Sequence, residues 1–171
     1  MAVEALKIKD KIQKYLGATV MDIGCGDECI VDYAYGVDGR DFPCVTWTTD
    51  NLYDKMPKLD SYFDTVFSSH CLEHLPDAYR CIDVWGRFCK RDGYFILYLP
   101  DGDYYNNEEN VEHFHDTKYA PFMMWFRRAF CGEAKNFKGE QYAPPMFELI
   151  ESGQDVEKEN HYSFFLVAKK L

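Results

Sequence analysis

The chain has 171 residues, 47% hydrophobic and 28% charged, with a formal net charge of -10. That length buries roughly two thirds of the unfolded surface, so one domain that folds without disulfide or metal support is expected. The acidic balance argues against a broad attraction to DNA, RNA or an anionic membrane. No run approaches the ~18 apolar residues of a membrane span, and the opening MAVEALKIKDKIQKYL lacks the apolar core of a signal peptide. Seven cysteines, an odd number without a CxxC pair, read as reduced and mostly buried thiols. A cytoplasmic protein is expected.

Ala5, Ile8, Ile12, Tyr15 and Leu16 fall at helical spacing and predict an amphipathic helix that stops at Gly17. Three short strands follow, at 18–23, 32–38 and 44–48, each closed by polar residues or glycine. The polar stretch 51–60 contains Pro57 and predicts a loop or short broken helix, and 62–69 a fourth strand. Residues 76–90 place Tyr79, Ile82, Trp85 and Phe88 at helical intervals. GYFILYLP at 93–100 is the most apolar strand, as expected where both faces are covered. Residues 101–115 predict an irregular loop. A helix capped by Asp116 or Thr117 is expected to run to about Phe130, nearly apolar all round at Met123–Phe126. MFELIES and YSFFLVAKK, separated by the polar loop SGQDVEKENH, predict a closing hairpin. Strands alternating with helices predict an α/β, doubly wound, mostly parallel sheet with an antiparallel C-terminal pair.

The ligand edge of such a sheet lies at the carboxyl ends of its strands, where Asp22, Asp38, Asp50, Ser69 and Asp101 all fall. Gly24 and Gly26 follow Asp22 directly, and closely spaced glycines at a strand end let backbone approach a ligand. Acids ending three successive strands suit a neutral or cationic ribonucleoside better than a pyrophosphate. A nicotinamide dinucleotide needs glycine where Cys29 stands and a long helix aimed at the pyrophosphate, yet only eleven residues separate Gly26 from Asp38. A single turn or irregular loop is expected there instead.

His70-Cys71-Leu72-Glu73-His74 matches the inverted zinc-protease pattern, but Pro76 denies it the long helix that such a site needs. No metal is expected. His113 and His115 alternate beside the 101–115 loop, and Tyr104 and Tyr105 in that loop are candidates to meet an acceptor. His161 reads as a surface residue, and Phe122, Trp125 and Phe126 as core.

The segments MDIGCG, YGVDGRD, TTDNLYDKMP, FDTVFSSHCLEHLPD, KRDGYFILYLPD and VEHFHDTKYAPFMMWF, taken together over about residues 18 to 130, resemble the class I S-adenosylmethionine-dependent methyltransferases. The resemblance implies a seven-stranded sheet with an antiparallel last strand and S-adenosylmethionine as cofactor. It implies that Gly24 and Gly26 admit the methionine part, with Asp22 supporting the loop or meeting the amino group. Asp38 would take the ribose hydroxyls, Asp50, Asn51 and Leu52 would meet adenine, and Ser69 would line the site. His70, His113 and His115 are then candidates to take a proton from a hydroxyl acceptor. Small-molecule or glycan-like acceptors are expected. Nucleic acid is not, since the Asn-Pro-Pro-Tyr type tetrapeptide is absent. Glu28 replaces the usual third glycine. A methyltransferase-like module without turnover, serving as a binding or regulatory partner, is the alternative.

Overall fold

A computed structural model describes residues 3–53, 57–106 and 110–171. Parts of the expected loops, 54–56 and 107–109, lie outside the described residues. Seven strands form one sheet: β1 (Val20–Ile23), β2 (Tyr35–Asp38), β3 (Val45–Thr48), β4 (Phe63–Ser69), β5 (Cys89–Pro100), β6 (Phe147–Asp155) and β7 (Ser163–Lys170). Their order is β3-β2-β1-β4-β5-β7-β6. The first five are parallel, whereas β7 runs antiparallel to both β5 and β6.

Helix α1 (Val3–Ile12) covers one face and continues as a 3-10 turn, Gln13–Tyr15, while α2 (Ala78–Phe88) and α3 (Tyr119–Phe130) cover the other. Strand β5 shows why its sequence is apolar throughout. Phe95, Leu97 and Leu99 enter the core beneath α2 and α3, and the alternating Ile96 and Tyr98 enter the core beneath α1. Each fully buried side chain of this size contributes about 1.5–3 kcal/mol. Asp77 caps α2 by accepting from the Arg80 N–H at 3.0 Å.

The sheet begins its two halves at β1, which lies between β2 and β4. The order in which strands are added reverses there, so a crevice opens above the carboxyl ends of β1 and β4. No helix spans the stretch between β1 and β2, which is the irregular connection expected from its length.

Four details differ from the sequence expectation. Helix α3 takes no cap from Asp116 or Thr117: its preceding residue is Lys118, the Thr117 hydroxyl donates to the Pro100 carbonyl at 2.6 Å, and Asp101 Oδ1 lies 3.4 Å from the Tyr119 N–H. Its centre is not buried all round, since Met124 is exposed. Strand β6 extends through Asp155, taking Ser152–Asp155 out of the expected loop, because the ladder with β7 continues to Asp155 opposite Ser163. His161 is not a surface residue: its Nδ1 lies 2.8 Å from Asp155, which also accepts from Lys11 at 2.7 Å and from the Tyr98 hydroxyl at 2.9 Å. Burial pushes the Asp155 carboxyl up, and these three partners together hold it below its ordinary value.

Candidate active site

Asp22 ends β1 almost fully buried, and its Oδ2 accepts from the Ile30 N–H at 2.6 Å. That contact braces the connection where a helix is missing. Burial lifts its carboxyl to about 8. Gly24 and Gly26 both adopt left-handed φ, 73° and 62°. Their surroundings differ. A Cβ on Gly24 would stand 2.4 Å from Cys71 Sγ, whereas one on Gly26 would meet nothing within 4 Å. Gly24 is therefore small for packing, and Gly26 leaves open space over the crevice.

Asp38, buried at the tip of β2, accepts from the Gly26 N–H at 2.9 Å through Oδ2. Its Oδ1 accepts from the Arg40 N–H at 3.0 Å and from Arg40 Nε at 3.2 Å. A carboxylate offers about four lone-pair positions, so with three donors in place about one remains, and a second opens if the exposed Arg40 side chain swings away.

At the end of β4 the Ser68 hydroxyl donates to the Ile23 carbonyl at 2.8 Å, joining the two strands that border the crevice. His70 follows at φ 47°, its N–H donating to the Tyr98 carbonyl at 2.9 Å and its Nε2 lying 2.9 Å from Ser163 Oγ. Burial, with Lys7, His74 and His113 adding to it, lowers the His70 imidazole to about 3, so the ring is neutral at pH 7.

A cavity of about 290 Å³ lies between these elements, near the lower end of the range for small-molecule sites. Asp22, Gly24, Gly26, Ser69, His70 and His113 line it, as do residues from both ends of the chain, Glu4 and Tyr162. Five buried side-chain atoms among the described residues lack a hydrogen-bond partner: Glu4 Oε2, Ser69 Oγ, both Glu73 carboxyl oxygens and His113 Nδ1. All five belong to residues that line this one cavity. Unpaired buried polar groups are costly, so their convergence marks a place built for a polar ligand. Glu73 is the extreme case, 1% exposed, with burial lifting its carboxyl to about 8.

The other predicted residues lie elsewhere. Asp50 is exposed at the end of β3, and neither it, Asn51 nor Leu52 lines the cavity. The Leu52 carbonyl accepts from Trp85 Nε1 at 2.6 Å, which fastens this segment to α2. His115 contacts the Leu75 carbonyl through Nε2 at 2.8 Å and lines a different, more apolar cavity of about 400 Å³ beside Phe122 and Trp125. Tyr105 lines the first cavity and stacks on Tyr162. Tyr104 is exposed. Sequence reading set Glu73 and His74 aside with the zinc-protease pattern and did not place them in the site. A glutamate held between Leu72 and Leu75 was the available signal. Glu4 and Tyr162 carried none, since only the folded sheet brings them here.

Residues 38–97 match the methyltransferase domain family. Among curated proteins, none matches the sequence. The fold is similar to that of 1,6-didemethyltoxoflavin-N1-methyltransferase from Burkholderia thailandensis, solved with 1,6-didemethyltoxoflavin and S-adenosylhomocysteine, with a TM-score of 0.70 at 14% identity over 99% of this chain and 79% of that one. It is also similar to S-adenosylmethionine-dependent methyltransferases from Aquifex aeolicus (TM-score 0.64, 15% identity, 98% of this chain and 93% of that one) and Mesorhizobium loti (0.65, 11%, 96% and 98%). The chain has the class I methyltransferase fold, with the antiparallel seventh strand that the sequence resemblance implied.

Proposed function

We propose that this protein is an S-adenosylmethionine-dependent methyltransferase acting on a hydroxyl of a small-molecule or glycan-like acceptor. The observation that carries the reading is the crevice at the point where the strand order reverses, lined by left-handed glycines and by every residue with an unpartnered buried side-chain atom among the described residues, with Asp38 behind it bonded to Gly26 and Arg40. The match of residues 38–97 to a methyltransferase domain supports it. So does the bound S-adenosylhomocysteine of the Burkholderia thailandensis protein, whose own acceptor is 1,6-didemethyltoxoflavin.

Asp38 holds the ribose and Gly26 gives the methionine part room, and adenine would have to reach beyond the cavity to meet the Asp50–Leu52 segment after β3. When bound, S-adenosylmethionine supplies a methyl group already made electrophilic by its sulfonium. The protein's task is to hold the acceptor oxygen in line with that methyl, a proximity effect worth several kcal/mol. As the oxygen–methyl bond forms and the sulfur–methyl bond breaks, the hydroxyl proton passes to a base. Of the three candidate histidines, His113 borders the crevice with Nδ1 unpartnered, although burial lowers its imidazole too and accepting a proton at Nδ1 requires the Asn110 amide to turn over; burial lowers His70 to about 3, and His115 lines another cavity.

A binding module without turnover is the second reading. Arg40 favours it, because it occupies Asp38 Oδ1 where ribose would sit. A screen of hydroxylated small molecules and glycans with labelled methyl donor separates the two. Label transfer that Asp38→Ala abolishes supports the enzyme, and nucleoside binding without transfer to any acceptor supports the module.

A further inference from the structure

We propose that Glu73, His74 and His113 form a binding site for a divalent transition-metal ion at the inner wall of the crevice. One oxygen or nitrogen of each residue lies within 4.8 Å of the others. The Glu73 carboxyl is 1% exposed, neither of its oxygens has a hydrogen-bond partner, and the residue borders the cavity. A solvated or helix-capping role does not account for a carboxyl in that state.

His74 is oriented for the task, and His113 needs one amide to turn over. His74 Nδ1 lies 3.2 Å from the Glu112 carbonyl oxygen, which can only accept, so that nitrogen carries the proton and Nε2 keeps its lone pair. Nε2 is 3.8 Å from Glu73 Oε1. A second-sphere carbonyl that fixes the tautomer of a ligating imidazole is the usual companion of a metal-bound histidine. His113 offers its unpartnered, buried Nδ1, with Nε2 3.0 Å from Asn110 Nδ2. Ligation through Nδ1 calls for the Asn110 amide to turn over and accept from Nε2–H. It gives up the bond from the Glu112 N–H, 3.1 Å from Asn110 Oδ1.

Metal–nitrogen and metal–oxygen bonds are about 2.0–2.2 Å, so ligand atoms on one tetrahedral ion stand about 3.4 Å apart. The 3.8 Å pair needs only a small contraction. One carboxylate and two imidazoles suit zinc, iron, cobalt or manganese, and three protein ligands leave a coordination position open toward the cavity. His70 Nδ1, also 3.8 Å from Glu73 Oε1, borders the same space. The arrangement differs from the zinc-protease pattern of the same letters: Glu73 is a ligand, and the segment is the single 3-10 turn Leu72–His74 instead of a long helix. An acceptor hydroxyl on such an ion would lose its proton more readily, a task otherwise left to His113.

Cobalt(II) titrated into metal-free protein without methyl donor tests this independently of the methyltransferase reading. A second cluster, Cys25, Cys29 and Cys44, also has its sulfurs within 4.8 Å of one another and is the competing site. Thiolate ligands give cobalt an intense charge-transfer band that nitrogen and oxygen ligands do not. The expected result is one equivalent bound, with weak visible bands alone. Affinity should fall at least about ten-fold in His113→Ala, at a half-buried position outside the helices and strands, and in Glu73→Gln, with no change in Cys44→Ser. Absence of stoichiometric binding overturns the proposal. So does a thiolate band that Cys44→Ser removes while His113→Ala binds normally.

Discussion

The Gly26 N–H donates to Asp38 Oδ2 across 2.9 Å, tying the loop after β1 to the tip of β2. One carboxylate thus shapes the glycine loop and faces the proposed ribose, while Arg40 competes for its other oxygen. Replacing Asp38 by Ala removes charge-assisted bonds worth about 1.5–3 kcal/mol each, so affinity for S-adenosylhomocysteine should fall about 10- to 100-fold. Arg40→Ala frees Oδ1 and should leave that affinity unchanged or raise it. Calorimetric titration of both variants checks the pair, and equal losses would mean that Arg40 itself holds the ligand.

Gly24 and Gly26 should respond differently to alanine, although both have positive φ. At Gly24 the new methyl would overlap Cys71, so Gly24→Ala should lower the unfolding free energy by several kcal/mol. At Gly26 space is open, and the stability cost should be only the left-handed backbone strain of about 1–2 kcal/mol. The loss there should fall on nucleoside affinity. Urea unfolding and calorimetry on the two variants separate these costs.

Asp22 predicts a pH dependence. Its carboxyl stands at about 8 in the folded protein, lifted by burial, against 3.8 as its ordinary value. Between those values the folded protein keeps a proton that the unfolded chain has released, so stability falls as pH rises. The contribution is complete below about pH 4 and lost by about pH 8, with a slope of at most about 1.4 kcal/mol per pH unit. Asp22→Asn cannot titrate. Denaturant unfolding at pH 5 and pH 7.5 should therefore show a steeper decline in the wild type than in this variant. Parallel declines would remove Asp22 as the source.

Trp85 reaches from α2 to hold the Leu52 carbonyl at 2.6 Å. Phenylalanine keeps much of the apolar volume but leaves that oxygen unpaired, at a cost of about 1–3 kcal/mol. Because the same bond fixes the segment proposed to meet adenine, Trp85→Phe should weaken S-adenosylhomocysteine binding several-fold as well if that proposal holds. A loss of stability alone, without loss of affinity, would detach Asp50–Leu52 from the site.

The sheet was legible because its strands obey simple rules. Apolar runs such as Phe95–Leu99 have to be covered on both faces, and the eleven residues between Gly26 and Asp38 are too few for a full helix. Boundaries that depend on tertiary pairing were not legible: β6 extends through Asp155 only because β7 lies alongside it. Within the site, the glycines and Asp38 announce themselves by spacing. The burial of Glu73, the tautomer of His74 and the reach of Glu4 and Tyr162 into the crevice arise from contacts between distant segments. Local pattern also placed His113 and His115 on one shared face, but the chain turns between them and sends them to separate cavities.

Calorimetric titration of the wild-type protein with S-adenosylhomocysteine tests the central claim most directly. The crevice of Gly26, Asp38 and Ser69 predicts saturable heat with one nucleoside per chain. No heat of binding with either S-adenosylhomocysteine or S-adenosylmethionine would contradict it.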